Sequence, residues 1–384
     1  MKKIIKILPA LMIVFFSATV LSAEDSEKAQ SFVGGGFEMS GFFSAGFGWQ
    51  KFAGGPPTEW VNDGSFAGVL GSVVPEVATG VPPAQGEDVV EAFVEVFELD
   101  IAKQFGERAN LAAHIWFGRP FSGSWVQAPG VEIEQAYATV KLSESHDVEF
   151  TLGRIGTPAG FEPYEPYSND TISWSILSRA NLYPYLVTGA QLSAALTESF
   201  WVYVMAANGC TNDTTFKIND LPSWLASFVF YWGPEEKESF FSITPFAGPE
   251  SDSNRSWTFG MDTTVSAWLT DNFQLGFQGL FRRDDGAGGP NTDYASGLLN
   301  LHWDMTDKFF SFLRYAYANQ FDDGNGFLNL TGAKQQIHEA SIGGGYWIAD
   351  GMKLKLEARF DAILPSAGEN QWVPGVAMSL VSAF

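Results

Sequence analysis

The stretch Met352–Asp361 reads MKLKLEARFD, with apolar side chains at every even position and charged ones at every odd position. On a helix this order would spread charge around the whole cylinder, whereas on a strand successive side chains point to opposite faces. A register slip of one residue would turn three basic side chains toward lipid, at roughly 6–12 kcal/mol in total. The stretch therefore predicts a strand with one apolar and one charged face.

The same two-sided alternation recurs along the chain, for example at 273–282 and 257–269. It predicts an all-β fold, a transmembrane antiparallel β-barrel of about 16 strands, within a range of about 14 to 18. We expect bulges within 91–101 and 309–320, where the alternation is less regular. The predicted strands are 37–50, 89–101, 109–118, 132–142, 148–154, 186–196, 200–208, 223–232, 239–247, 256–269, 273–283, 293–303, 309–320, 336–348, 352–362 and 373–384.

The connections between these segments alternate between short and long, which predicts short periplasmic turns and long outer loops. Tryptophans near segment ends, such as Trp232, Trp303 and Trp347, would form an interfacial girdle. The final segment ends on Phe384, which resembles the C-terminal signature of bacterial outer-membrane barrels, although Ser382 stands where an apolar residue is usual. A soluble β-sandwich or helical-repeat protein is the alternative, but no repeat of 20–50 residues is visible.

Residues 1–23 have the order of a secretory signal peptide: a lysine-rich start, an apolar stretch and the small-residue site Leu21-Ser22-Ala23. An uncleaved N-terminal anchor is the alternative. The sequence then predicts a short periplasmic segment at 24–36 and a barrel domain over 37–384. No later apolar run reaches the ~20 residues of a membrane helix.

Composition excludes several classes of function. The chain has 44 acidic and 22 basic side chains and a net charge of −22, which is incompatible with wrapping nucleic acid. Its one cysteine, Cys210, cannot form an intrachain disulfide.

The loop at 155–185 is the third long outer loop, and it combines prolines, acidic residues and aromatic residues. In general diffusion porins the third loop folds into the barrel and sets the constriction, so this resemblance implies that the loop at 155–185 folds inward and constricts the pore. Later strands carry basic side chains on their inward positions, so an acidic loop opposite a basic wall would create a transverse field. The alternative is an acidic cap outside the barrel, with the wall charges paired among themselves. The predicted loop residues are Glu162, Glu165, Asp170, Tyr164 and Tyr167, and the predicted basic wall residues are Arg154, Arg282, Arg314, Lys353, Lys355 and Arg359.

The sequence around this loop resembles a known family. Gly153-Arg154 is followed by Thr157-Pro158-Ala159-Gly160-Phe161-Glu162, and then by Ser178-Arg179 and Thr188-Gly189. This order is similar to the OmpL-like β-barrel porin family, in which a strand ending in Gly-Lys runs into a Thr-Pro-x-Gly-x-Glu turn. Arg154 stands where lysine is expected. The resemblance implies an outer-membrane porin and, by analogy with sixteen-stranded porins, a homotrimer.

The histidines and the short acidic segments do not indicate a catalytic or metal site. His114, His146, His302 and His338 are the histidines, and no Gly-x-Ser-x-Gly elbow accompanies them, so no catalytic group is predicted. The acidic pieces at 251–254 and 322–326 lack the spacing of a calcium loop, so no metal or cofactor is predicted.

The functional prediction is therefore an outer-membrane channel, not an enzyme, for passive diffusion of ions and small polar solutes. A channel selective for a sugar or other nutrient is the alternative, since aromatic loop residues could stack on sugar rings or simply pack the loop. An outer-membrane enzyme or a structural barrel is the third hypothesis. The expected surroundings are outer-membrane lipid with a lipopolysaccharide outer leaflet, and the acidic balance predicts cation preference.

Overall fold

The computed structural model describes residues 37–51, 88–118, 130–143, 147–163, 165–179, 181–210, 221–250, 256–285, 291–321, 334–366 and 370–384. The predicted signal peptide, the segment 24–36, His146 and the acidic pieces at 251–254 and 322–326 lie outside these ranges. The strands are β1 (Phe37–Lys51), β2 (Asp88–Phe105), β3 (Ala109–Gly118), β4 (Gly130–Ser143), β5 (Val148–Gly156), β6 (Leu186–Thr197), β7 (Phe200–Ala207), β8 (Ser223–Trp232), β9 (Ser239–Pro249), β10 (Trp257–Thr270), β11 (Phe273–Asp285), β12 (Thr292–Thr306), β13 (Phe309–Gln320), β14 (Gln335–Ala349), β15 (Met352–Pro365) and β16 (Gln371–Ala383).

These sixteen strands form one closed antiparallel barrel in which each strand pairs with its neighbours in sequence and β1 pairs with β16. The predicted fold class and strand count are confirmed. The terminal aromatic residue lies at the closure: Phe384 and Gly41 exchange backbone hydrogen bonds of 2.9 and 3.1 Å, and its ring stacks on Phe97. Closure leaves no unpaired sheet edge, the condition for crossing a bilayer with strands.

The two faces of the barrel differ in chemistry as the alternation predicts. Phe259 and Phe277 are 41% and 45% exposed on the outer surface, whereas Gln278 and Lys355 on the opposite parity are fully buried. The apolar set faces outward and the polar set faces the interior. A register slip would reverse this order, so the pattern fixes which face of each strand meets lipid.

Register shifts occur next to several short turns, and among the described strands two carry an extra residue away from a turn. In β2, Ser44 and Ala45 pair with Val96 and Val94, so Glu95 is bulged, and the bulge expected within 91–101 is confirmed. The bulge expected within 309–320 is wrong, because β13 pairs continuously with β14 over Phe309–Gln320. A bulge that the sequence did not predict lies in β4, where Glu134 is skipped.

The tryptophans predicted for a girdle divide between the two faces. Trp232 and Trp303 are exposed on the outer surface. Trp347 has inward parity instead, and its ring contacts Tyr167 of the long loop, with 5.9 Å between centroids. The expected position of Trp347 in the girdle is therefore wrong.

The connection between β5 and β6 contains the one α-helix of the described residues, α1 (Ile176–Arg179), and a 3-10 turn at Glu235–Lys237 precedes β9. Within the described ranges, no helix has the length and hydropathy that a bilayer crossing requires. An apolar cluster lies inside the barrel, where loop residues such as Trp174, Leu177 and Leu182 pack against Met205 of β7 and Leu298 of β12.

Candidate functional site

The segment 157–185, which we call the inner loop, is closed at its base by its own backbone. The amide of Thr157 donates to the carbonyl of Tyr185 at 3.0 Å, and its hydroxyl donates to the carbonyl of Pro184. The amide of Ala159 donates back to the Thr157 hydroxyl at 3.2 Å. The threonine of the Thr-Pro-x-Gly-x-Glu turn therefore joins the two ends of the inner loop.

The glycine of that turn is required by packing and by backbone geometry. Gly160 has φ +93°, and a Cβ added there would lie 2.2 Å from the ring of Tyr183. Its amide donates to Asp262 on β10 at 3.1 Å, and the next amide, of Phe161, donates to Gln278 on β11 at 3.2 Å. The turn thus crosses the lumen from β5 and docks on the opposite wall.

The glutamate of the turn organises the rest of the inner loop. Glu162 is buried, and its carboxylate accepts the amide of Ser175 at 3.0 Å and the hydroxyls of Ser175 and Ser178 at 2.5 Å. Arg314 on β13 donates to the same carboxylate at 2.7 Å. Glu162 therefore anchors the inner loop and presents no free charge to the lumen.

A buried ionic network on β13, β14 and β15 holds residues 171–176 of the inner loop. Glu339 lies 2.7 Å from Arg314 and 2.8 Å from Arg359. Glu357 accepts the amides of Ile172 and Ser173 at 2.6 and 2.8 Å. Each buried charge in this group meets an opposite charge or a hydrogen-bonding group, which is the condition under which burial is tolerated.

Two lysines of β15 also hold the inner loop on this wall. Lys355 donates to the carbonyls of Pro166 and Thr171 at 2.9 and 2.8 Å. The ammonium of Lys353 lies 5.2 Å from the ring of Tyr167, a cation–π contact. Burial and the charge of Asp350 raise the pKa of the Tyr167 phenol.

Two further contacts attach the inner loop to β11 and β12. Arg282 donates to the carbonyl of Asn181 at 2.9 Å. The carboxylate of Asp170 lies 2.9 Å from Nδ1 of His302, whose Nε2 lies 3.0 Å from Asp304. The inner loop is therefore bound to every strand from β10 to β15.

Several sequence-predicted site residues have a different role from the one expected. The wall to which the inner loop is bound also carries Glu339, Glu357 and Asp361, which pair with Arg314 and Arg359, so this wall is not purely basic as the predicted transverse field requires. Arg154 shares the parity of Leu152, which is 56% exposed on the outer surface, so its assignment to the pore wall is wrong. Tyr164 lies outside the described residues.

A cavity of about 350 Å³ lies between the inner loop and the wall formed by β9 to β13. Gln274 in its lining lies beside the short turn between β10 and β11, so the cavity is on the side of the inner loop that faces the short turns. Its lining combines polar groups with aromatic rings: Asp170, His302, Arg314, Phe161, Phe240 and Trp268.

The opposite side of the lumen, at β2 to β4, is acidic. Asp100 and His114 are part-exposed there, with 2.7 Å between Oδ1 and Nδ1. Burial raises the pKa of Glu165 on the inner loop, and the charges of His114 and Asp100 act on the same carboxyl. Glu134 of β4 belongs to the same acidic wall. Apart from Glu165, the sequence prediction of site residues does not include these side chains. For Glu134 the reason is the bulge in β4, which disturbs the alternation that would have assigned it to the inner face.

The sequence matches the family described as "Putative beta-barrel porin-2, OmpL-like" over residues 62–375. The chain belongs to this family. It is a porin channel built on a closed sixteen-stranded barrel, and the resemblance found around the inner loop is confirmed. No curated protein matches the sequence of this porin.

Solved structures of outer-membrane channels share the fold of this porin at low identity. The outer membrane channel DcaP of Acinetobacter baumannii has a TM-score of 0.61 and 11% identity, with 92% of this chain and 99% of that chain covered. The anion-selective porin from Comamonas acidovorans has a TM-score of 0.57 and 10% identity, with 91% and 99% covered. The trimer form of OmpT of Vibrio cholerae has a TM-score of 0.53 and 10% identity, again with 91% and 99% covered.

Proposed function

We propose that this porin lets ions and small polar solutes diffuse passively through a passage between the inner loop and the β2–β4 wall. The observation that carries the proposal is that, among the described residues, the hydrogen bonds between the inner loop and the barrel wall lie on one side of the lumen. These hydrogen bonds run to the wall from β10 to β15, and the side chains of Asp100 and His114 on the other side remain part-exposed, at 26% and 21%. No catalytic step is needed for such a function.

The charge of this passage supports cation preference. The charge of Asp100 on the wall acts on the carboxyl of Glu165 on the inner loop, and low-dielectric protein on both sides strengthens their field. Arg314 of β13 and Arg359 of β15 are paired with buried acidic side chains, so these two guanidinium groups contribute little to the field at the passage.

Reconstitution into a planar lipid bilayer tests the proposal. We expect ohmic single-channel steps and a reversal potential of cationic sign across a salt gradient. Asp100→Asn should reduce the cation preference, whereas Asp271→Asn, in the exposed turn between β10 and β11, should leave it unchanged. A correctly folded barrel that never conducts, or one that prefers anions, contradicts the proposal.

The cavity beside the inner loop favours a second candidate, a channel selective for one class of small solute. Its volume of about 350 Å³ lies in the range of small-ligand sites, and it combines aromatic faces with a few polar groups. Current block that saturates with one class of sugar or other nutrient would favour this candidate. Block that rises linearly with every solute supports simple diffusion.

The setting we propose is the outer membrane, after export by the predicted signal peptide, with lipopolysaccharide around the outer half of the barrel. We also propose a homotrimer, in keeping with the trimer form of the OmpT structure that shares the fold. Native mass spectrometry of the detergent-solubilised porin measures the number of copies, and a strictly monomeric species at all concentrations contradicts the trimer.

A further inference from the structure

Three adjacent strands bring three carboxylates and one imidazole together on the inner face of the barrel. Asp100 pairs with His114 across β2 and β3, and Glu98 lies two residues before Asp100 on the same face. Glu134 joins them from β4 because it is the bulged residue between Ile133 and Gln135. A bulge re-aims a side chain, and here it turns Glu134 inward while Ile133 stays exposed on the outer surface.

The donor atoms of this group are close enough to share one ligand. One atom each from Glu98, His114 and Glu134 can be chosen so that all lie within 4.8 Å of one another. The second oxygen of Glu98 is held by the indole N–H of Trp116. The carboxylate of Asp100 lies 2.7 Å from Nδ1 of His114.

Glu134 is the independent sign that a ligand belongs here. Its side chain is only 1% exposed, and neither carboxylate oxygen has a hydrogen-bond partner in the part of the chain that the structure describes. The negative charges of Glu98 and Glu165 act on it, and the positive charges of His114 and Arg154 oppose them. A buried carboxylate with no hydrogen bond beside a second buried carboxylate is unfavourable unless a cation or a proton compensates it.

We propose that Glu98, His114 and Glu134 bind a zinc-class divalent cation in the wall of the pore. An imidazole nitrogen with carboxylate oxygens suits a borderline ion such as Zn²⁺, whereas Ca²⁺ takes six to eight oxygen ligands and Mg²⁺ keeps most of its water. Asp100 acts as the outer carboxylate that orients a ligating histidine. Because His114 is part-exposed to the lumen, water or a solute can complete the coordination shell.

The position of this site links it to conduction. A bound divalent cation would neutralise part of the acidic face past which ions are proposed to diffuse, so loading the site should lower the conductance and the cation preference. Binding itself does not depend on the proposed function. Only the conductance measurement depends on the proposed function, so the metal site and the proposed function can be refuted separately.

Equilibrium dialysis of the chelator-treated, detergent-solubilised porin against Zn²⁺ tests the site. We expect one equivalent to bind, with the affinity lowered at least about tenfold in Glu134→Gln and in His114→Ala. His338→Ala is the matched control, because His338 faces outward and its ring contacts Tyr315, and its affinity should equal that of the native protein. Co²⁺ in place of Zn²⁺ should give visible absorption bands that both site variants lose.

Heat-dependent migration in gel electrophoresis shows whether each variant has folded, and Glu134→Gln changes the shape of the side chain least. The proposal is overturned if folded native protein binds no Zn²⁺, which would indicate a protonated Glu134. It is also overturned if both site variants bind as tightly as His338→Ala, or if Ca²⁺ binds as tightly as Zn²⁺. Binding without any change in conductance would keep the site and contradict the proposed passage.

Discussion

Replacing Arg314 by methionine should release the inner loop from the wall. The guanidinium is almost fully buried and lies 2.7 Å from both Glu162 and Glu339. It also donates to the hydroxyl of Thr171 and the carbonyl of Ser173 at 2.7 Å. Most of these partners belong to the inner loop, so their loss weakens docking more than it weakens the barrel.

The size of the loss in docking free energy follows from the burial of the ion pair between Arg314 and Glu162. Removing one partner of a buried ion pair costs about 3–5 kcal/mol, because the other charge is left uncompensated. At about 1.4 kcal/mol per factor of ten, the equilibrium between docked and released loop shifts by roughly two to four orders of magnitude. Glu339 still has Arg359 at 2.8 Å, so Glu162 loses more of the positive charge that compensates its carboxylate.

Single-channel recording and limited proteolysis measure this effect together. Arg314→Met should give larger and noisier conductance steps and new cleavage within 157–185, while the heat-dependent gel migration of the folded barrel persists. Arg283→Met is the matched control: Arg283 binds Asp293 with two bonds of 2.6 Å but is about half exposed, so its pair contributes less than about 1 kcal/mol.

A double variant separates the lost charge pair from other effects of the substitution. Arg314→Met with Glu162→Gln should recover part of the docking, because the unpaired negative charge is gone. If Arg314→Met conducts and resists protease as Arg283→Met does, the inner loop is not held by this network, and the account of the anchor is wrong.

Three further predictions concern the inner loop. Gly160→Ala should destabilise docking by about 1–3 kcal/mol, because φ is +93° and Tyr183 fills the space, and unchanged proteolysis at 157–185 would contradict it. Because burial raises the pKa of Glu165, protonation should reduce cation preference at a higher pH than for an exposed glutamate; Glu165→Gln should abolish that step in the reversal potential. Tyr167→Ala removes the contacts with Lys353 and Trp347, so tryptophan fluorescence should shift and conductance should rise; unchanged spectra and currents would refute this.

The strands could be predicted from sequence because lipid imposes a local rule. Every second side chain must be apolar, so a segment such as 352–361 can be predicted to be a strand without reference to the rest of the chain. The segments predicted at 109–118, 223–232 and 309–320 match β3, β8 and β13 end to end. Irregular positions are harder, because a bulge such as Glu134 changes the parity without leaving a distinct residue pattern.

The roles of the site residues could be predicted only in part. Parity assigned Arg314, Lys355 and Arg359 to the inward face, and the structure has them buried there. Parity could not reveal that Glu339 and Glu357 would pair with the basic side chains, because that pairing depends on which strands become neighbours. Arg154 was assigned through its place in a motif and not through its parity, and that assignment was wrong.

Alternation along each strand, by itself, determined the class of this porin: an apolar outer face, a polar interior and an even number of strands that close without an edge. Tertiary structure alone decided which charges meet. Glu162 and Arg314 are 152 positions apart in sequence and lie 2.7 Å apart in the lumen. Barrel closure sets that distance, because it places β5 and β13 on facing walls and lets one loop cross between them.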